Sequence, residues 1–364
     1  MQMGSIQSVR HCILGFTRQE IEHDCLQVGV PLIHARDLFR SSYKEFNVTP
    51  WDRSGLPRSY SEHCREAFEG FVGKISSLQM SQYDGSVKFA VELRDGLRVE
   101  AVLMPEAKRV TLCISSQVGC AQGCVFCHTG RMGLTRNLDA SEIVGQVWLA
   151  NKWIKENPSW LAANRLTSHQ KITNIVFMGM GEPLDNPAEV SKAISILTDP
   201  FGFNLAKRRI SVSTAGHLEG LNQLLKSHPD LRLAISVHSA FDAERSKIMP
   251  INRRWPISDV METLRSNSCL QKNGILVQYT LISGVNDSEA HAKKLADLVN
   301  GMNVKVNIIP LNPVGPCRLK SPDRERLEAF RDEIYKSGIR VMVRYSKGQD
   351  ISAACGQLVL EQNT

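Results

Sequence analysis

The chain has 364 residues, 42% hydrophobic and 22% charged, which is ordinary globular composition and length enough for about two domains. No apolar run reaches the length of a membrane span, and the first twenty residues hold neither an apolar signal core nor a small-residue cleavage site, so a cytoplasmic protein without membrane contact is expected. The net charge of +7 is compatible with a polyanionic partner, and ten cysteines without an export signal point to a reducing compartment, where spaced cysteines serve metals or catalysis.

The first seventy residues read as helical. Thr17-Arg18-Gln19-Glu20 has the spacing of a capping box. Residues 31–45 and 57–70 carry apolar side chains at helical period, with a turn-rich stretch at 47–56 between them. From 73 to 105 the pattern alternates. Asp84-Gly85 and Asp95-Gly96 mark tight turns there, so a three-stranded meander is expected.

After Lys108 strands and helices alternate. Candidate strands are 110–115, 172–178, 209–213, 232–237, 275–281 and 304–309. Candidate helices include 141–155, 187–197, 257–270 and 289–301, and a last helix at 323–337 precedes a strand at 339–344. Repeated strand–helix units imply a parallel sheet with right-handed crossovers, either open or curled into part of a barrel. The expected organisation is a helical accessory domain at 1–72, a β-meander extension at 73–108 and an α/β domain at 109–364.

The sharpest chemical signal is Cys120-Ala-Gln-Gly-Cys124-Val-Phe-Cys127, a C-x3-C-x2-C spacing just after the first strand of the α/β run. Three thiolates so spaced can reach three corners of an iron–sulfur cubane and leave one iron open. A zinc knuckle is the alternative. It needs a fourth ligand, and His128 adjoins Cys127, an awkward place from which to close a tetrahedron.

The C-x3-C-x2-C motif at the end of a first βα strand resembles the radical S-adenosylmethionine superfamily. The likeness goes further. Cys113-Ile-Ser-Ser-Gln-Val-Gly-Cys120, Arg136-Asn137-Leu138, Gly179-Met-Gly181-Glu182-Pro183, Lys207-Arg208-Arg209, Pro250-Ile-Asn252 and Ala354-Cys355-Gly356-Gln357-Leu358 occur in this order. Together, from about Gly73 to Leu358, they resemble the radical adenine methyltransferases of 23S ribosomal RNA and transfer RNA.

The resemblance implies an α/β fold with a partial (β/α)6 barrel of radical-SAM type. It implies a [4Fe-4S] cluster on Cys120, Cys124 and Cys127, and S-adenosylmethionine chelated by the open iron. Gly181 and Glu182 would bind the methionine amino group. Ser213, Ser236, Val237, His238 and Asn312, at strand ends, would bind its ribose, carboxylate and adenine. Phe126 would pack on that adenine or fill the core.

It also implies a reaction. Cys355 takes a methyl group from one cofactor molecule. A second molecule yields the radical that removes a hydrogen from that methyl, and the methylene adds to the base. Glu100 takes the ring proton, and Cys113 attacks the Cys355 sulfur, forming a disulfide and releasing methylated RNA. Spacing alone gives only two buried thiols and a solvated strand carboxylate for these three residues.

The implied partners are 23S rRNA, transfer RNA as a second substrate, and an electron donor such as flavodoxin or ferredoxin, with the protein a monomer. Lys207-Arg208-Arg209, Arg253-Arg254 and residues 318–326 are candidate phosphate contacts. Gly181-Glu182-Pro183 and the Lys-Arg-Arg run look like the branch that methylates adenine C2. Thr129-Gly130 looks like the C8-methylating branch that gives chloramphenicol–florfenicol resistance. C2 methylation is therefore expected, with C8 as the alternative.

Overall fold

A computed structural model describes residues 10–53, 55–166, 170–313 and 318–359. Its centre is a ten-stranded sheet in which spatial order follows chain order. Arg109–Ile114, Asn174–Phe177, Ile210–Thr214, Arg232–Ser236, Ile275–Leu281, Val304–Pro310 and the short Val341–Val343 are successive parallel neighbours. Right-handed crossovers that always step the same way put the helices on one face, and the sheet curls about the other. This is the partial barrel expected of the radical SAM fold, with one short strand added after the sixth.

The meander is part of the same sheet. Lys74–Met80, Val87–Glu92 and Arg98–Glu106 run antiparallel, and the last pairs with the first barrel strand. Register places Lys88 opposite Val102, Val102 opposite Cys113, and Cys113 beside Val176. Since side chains alternate faces along a strand, these four form one row on one face of the sheet.

At the N-terminus the capping box forms: Thr17 Oγ1 accepts from the Glu20 N–H, and Glu20 Oε2 accepts from the Thr17 N–H at 2.7 Å, opening helix Arg18–Val28. Helices Ile33–Lys44 and Arg58–Ala67 follow. The third stops short of residue 70 because Phe68–Glu69 pairs as a strand with His11–Cys12. Phe39, Tyr43 and Trp148 share one core that is continuous with the barrel, and the Trp148 indole donates to the Ser42 carbonyl at 2.8 Å.

The expected helix 257–270 is two helices, Ile257–Ser266 and Ser268–Asn273. The Asn267 side chain caps the second by accepting from the Leu270 N–H. Helices Leu218–Ser227 and Asp242–Ile248, and the ribbon Gln117–Cys120 with Gly133–Asn137, lie outside the elements predicted. Among the described residues no helix is long and apolar enough to cross a membrane.

Candidate active site

A cavity of about 910 Å³ opens where the barrel strands end at their C-termini, the position expected for a site in such a sheet. Cys120, Cys124 and Cys127 line it. Cys120 closes the ribbon strand, and Cys127 is the residue before the short helix His128–Met132. Burial raises all three thiols, Cys120 to about 12. Such thiols must lose protons to bind metal, so assembly of a cluster here releases protons. Among the described residues no three His, Cys, Asp or Glu side chains are gathered to close around a single ion. The cysteines instead share a cavity wall.

The segment after the second barrel strand is fixed by the residues after the first. Ser115 Oγ accepts from the Met180 N–H at 2.8 Å and donates to the Glu100 carbonyl. Gln117 Oε1 accepts from the Glu182 N–H at 2.8 Å. Gly181 sits at φ +99°, and a Cβ there would lie 2.6 Å from the Gln117 Cβ, so only glycine permits this approach. The Glu182 carboxylate lines the cavity but is already engaged: it accepts from the Ala215 N–H at 2.7 Å and the Leu184 N–H at 3.1 Å. It ties the loop to the third strand, and burial raises its pKa to about 7.

Ser213 and Ser236 line the cavity, and both hydroxyls donate to Gln278 Oε1, at 3.2 and 3.5 Å. His238 lines it too, in left-handed backbone at φ +55°, a conformation that costs about 1–3 kcal/mol for a non-glycine residue. Its Nδ1 accepts from the Thr280 N–H at 2.8 Å, so the neutral ring carries its proton on Nε2. Phe126 meets this ring edge-on, centroids 4.8 Å apart, and lines the same wall. Val237 departs from expectation. Its side chain is buried in the main core, and only its backbone serves the site, donating to Gln278 O and accepting from Arg245. Strand alternation turns it away from the cavity while Ser236 faces in.

Burial lowers the His238 pKa to about 3, from an ordinary 6.5. The unfolded ring therefore takes up a proton first, and stability is lost as pH falls from about 6.5 toward 3. His238→Asn is expected to lose less melting temperature than the wild type between pH 6.5 and pH 4. Parallel slopes in thermal denaturation over that range would count against it.

Cys355 is exposed on the wall shared by the main cavity and a smaller one of about 510 Å³. Cys113 lines the smaller cavity and is buried. Both are free thiols. Asn312 also lines the main cavity, yet its side chain is committed to the Cys355 segment. Nδ2 donates to the Cys355 carbonyl at 3.0 Å and to Ser346 Oγ at 2.9 Å, and Oδ1 accepts from Gln349 at 3.2 Å. Glu100 lines neither cysteine cavity. It lies in an adjoining groove with His128 and Val359, buried, with Lys88 Nζ at 3.0 Å and the Val359 N–H at 2.8 Å. It is thus not a solvated strand carboxylate. The Gly356 carbonyl accepts from the His128 N–H at 2.7 Å, which seats the Cys355 segment on the helix that follows Cys127.

Arg245, Gln278, Met249 and Thr280 complete the site and were not singled out from sequence. Gln278 left a signal, a polar residue inside the apolar strand Ile275–Leu281; Arg245 left none. Among the basic runs, Lys207–Arg209 precedes the third barrel strand, at the end of the sheet opposite the cavity, with Lys207 paired to Asp230. Arg254 pairs with Glu219 and lies over the Trp255 ring.

Residues 114–296 match the model of the radical SAM superfamily. The chain is 40% identical to a dual-specificity RNA methyltransferase RlmN of Syntrophobacter fumaroxidans, covering 96% of this chain and 98% of that protein. It is 43% identical to the RlmN of Desulfotalea psychrophila over 77% of this chain and 76% of the relative. The crystal structure of a radical SAM methyltransferase from Sphaerobacter thermophilus superposes with a TM-score of 0.87 at 37% identity, covering 96% of this chain and 100% of that one.

Proposed function

Because the chain belongs to the RlmN family of radical SAM RNA methyltransferases, we propose that it methylates C2 of an adenine in 23S rRNA and in transfer RNA, through a methyl group carried on Cys355 and with two S-adenosylmethionine molecules per turnover. The observation that carries this reading is Cys355 itself. It stands on the wall common to the cavity of Cys120, Cys124 and Cys127 and the cavity of Cys113. A carrier sulfur must face both the source of the radical and the thiol that later releases it.

Three cysteines on one wall fit a [4Fe-4S] cluster with one open iron better than a zinc site, which calls for four ligands. When bound, that cluster supplies the electron that cleaves S-adenosylmethionine to a 5′-deoxyadenosyl radical. The rest is the work of side chains. Gly181 lets the backbone approach the amino group of the cofactor, with Glu182 holding the loop. Ser213, Ser236 and the His238 Nε2–H line its polar side, the backbone of Val237 shapes the strand end, and Phe126 offers an apolar edge. Asn312 holds the Cys355 backbone in place. Glu100, kept in position by Lys88 and the Val359 N–H, takes the ring proton from its groove beside the site. Residues 1–72 would serve as an accessory domain that helps hold the RNA. The reductant would be flavodoxin or ferredoxin, and one chain suffices as a cytoplasmic monomer.

The Thr129-Gly130 pair that looks like the C8 branch has a structural role here. Buried Thr129 donates to the Leu358 carbonyl at 2.7 Å and anchors the Cys355 segment, so it gives no ground for C8.

Nucleoside mass spectrometry tests the proposal. In a host lacking its own enzyme, 2-methyladenosine is expected in digests of both 23S rRNA and transfer RNA, and about four irons per chain in anaerobically purified protein. Appearance of 8-methyladenosine would overturn the ring position. Neither product from an iron-loaded enzyme would overturn the substrate.

A further inference from the structure

The smaller cavity, between Cys113 and Cys355, has a lopsided charge. Its walls are Cys113, Cys355, Arg344, Ser346 and Lys347, with apolar side chains making up the remainder. Among the described residues no carboxylate lines it, and neither Arg344 nor Lys347 forms an ion pair with an acid. Lys347 Nζ donates to the Pro105 carbonyl, on the meander strand that pairs with the strand of Cys113. Two cations thus line the cavity that holds a buried thiol, and Arg344 is the one whose charge reaches Cys113.

A release step needs this arrangement. The attacking species is the Cys113 thiolate, since a neutral thiol is a poor nucleophile. Burial pushes the Cys113 thiol up to about 12, and the charge of Arg344 acts against that rise.

We propose that Arg344, with Lys347 in support, generates the Cys113 thiolate that frees the methylated RNA. The inference rests on the reading of Cys113 as the releasing thiol. The Cys113 proton leaves to solvent. The thiolate attacks Cys355 Sγ, and the S–S bond forms as the Sγ–CH2 bond to the base breaks. That bonding pair stays with the methylene carbon, spread into the ring, until one solvent proton makes it methyl. The two sulfurs lose the two electrons that the carbon gains, so the step needs no outside oxidant or reductant.

An ionised Cys355 would oppose this field more strongly than Arg344 supplies it, but at the release step the Cys355 sulfur is bonded to the methylene and carries no charge. Lys88 lies in the row of Cys113 across the sheet, and Glu100, two residues from Val102 on the neighbouring strand, is paired to Lys88. Cys355 is the other thiol of the cavity. Arg344 touches neither cofactor nor base. It acts through Cys113 and is a positioning residue.

The test uses the reconstituted full-length enzyme and a transcribed 23S rRNA fragment. The covalent protein–RNA adduct is followed on denaturing gels across a pH series. Cys113→Ala is expected to trap the adduct at every pH. Arg344→Gln is expected to clear it about tenfold more slowly near pH 7, one unit of thiol acidity, and to reach the wild-type pH 7 rate only about one pH unit higher. Arg344→Lys restores clearance, and Lys347→Gln slows it in the same pH-dependent way, which keeps the test open if Arg344→Gln fails to fold. Clearance at the wild-type rate with an unchanged pH profile in the Arg344 and Lys347 variants, while Cys113→Ala still traps RNA, overturns the inference alone. Failure of Cys113→Ala to trap any adduct overturns the releasing-thiol reading and this inference with it.

Discussion

Cys355→Ala is expected to reduce RNA methylation to background while iron and sulfide content stay at the wild-type level. The side chain is exposed, so its loss opens no cavity in the core. Its segment is held through the backbone: Asn312 grips the Cys355 carbonyl, Gln357 donates to the Pro313 carbonyl and accepts from the Ala354 N–H, and Gly356 accepts from the His128 N–H. None of these contacts uses the sulfur. The variant should therefore keep its fold, its cysteine wall and its affinity for S-adenosylmethionine, and lose only the atom proposed to carry the methyl group. Cys113→Ala contrasts with it. That thiol is buried, and removing one heavy atom costs about 1 kcal/mol; the variant should still methylate Cys355 and reach the base. Iron and sulfide analysis with nucleoside mass spectrometry checks the first. Substantial methylation by Cys355→Ala would remove the carrier from the mechanism.

The parts of the site that were legible in the sequence are those fixed by local spacing. Cysteines at positions 120, 124 and 127 span the short loop from the end of a ribbon strand to the start of a short helix, and the strands could be read because a buried parallel strand is a short apolar run between turns. What stayed hidden depends on contacts far apart in the chain. Ser115 and Gln117 stood in a motif without an assigned task until the fold set them against Met180 and Glu182, across the first and second strands. Asn312 and Glu182 occupy the cavity wall as their motifs suggested, yet most of their hydrogen-bonding capacity goes to the protein backbone. Polar type and strand-end position cannot tell a ligand from a brace, since both are buried polar groups at the same end of a sheet. Val237 shows the reverse case. A motif marks it, but the two-residue period of a strand turns its side chain into the core.

Arg245 is the brace whose loss should cost most. Its fully buried guanidinium donates to the carbonyls of Ala215 at 2.6 Å, Ser236 at 2.8 Å and Val237 at 2.9 Å, and to Asn252 Oδ1 at 2.7 Å. The three carbonyls lie where the third and fourth barrel strands end, so one side chain fixes the spacing of the strand ends that present Ser213, Ser236 and His238. Methionine has similar volume but no donor. Arg245→Met takes this donor from the Ala215 and Ser236 carbonyls at about 1–3 kcal/mol each, while Val237 O keeps the Ser239 N–H and Asn252 Oδ1 keeps the Ile257 N–H. The cost is partly offset because no charge is then buried, and a net loss of about 2 kcal/mol is expected. Lysine should rescue only in part, because a compact ammonium cannot span the four acceptors that a planar fork reaches. Denaturant unfolding of the apoprotein measures the stability, and equilibrium dialysis of the reconstituted enzyme measures binding of S-adenosylmethionine. Unchanged midpoint and affinity would show that the strand ends hold themselves. The buried cation also responds to its surroundings: burial lowers its pKa to about 10, while negative charge at Cys124, Asp242 and Glu182 acts to raise it.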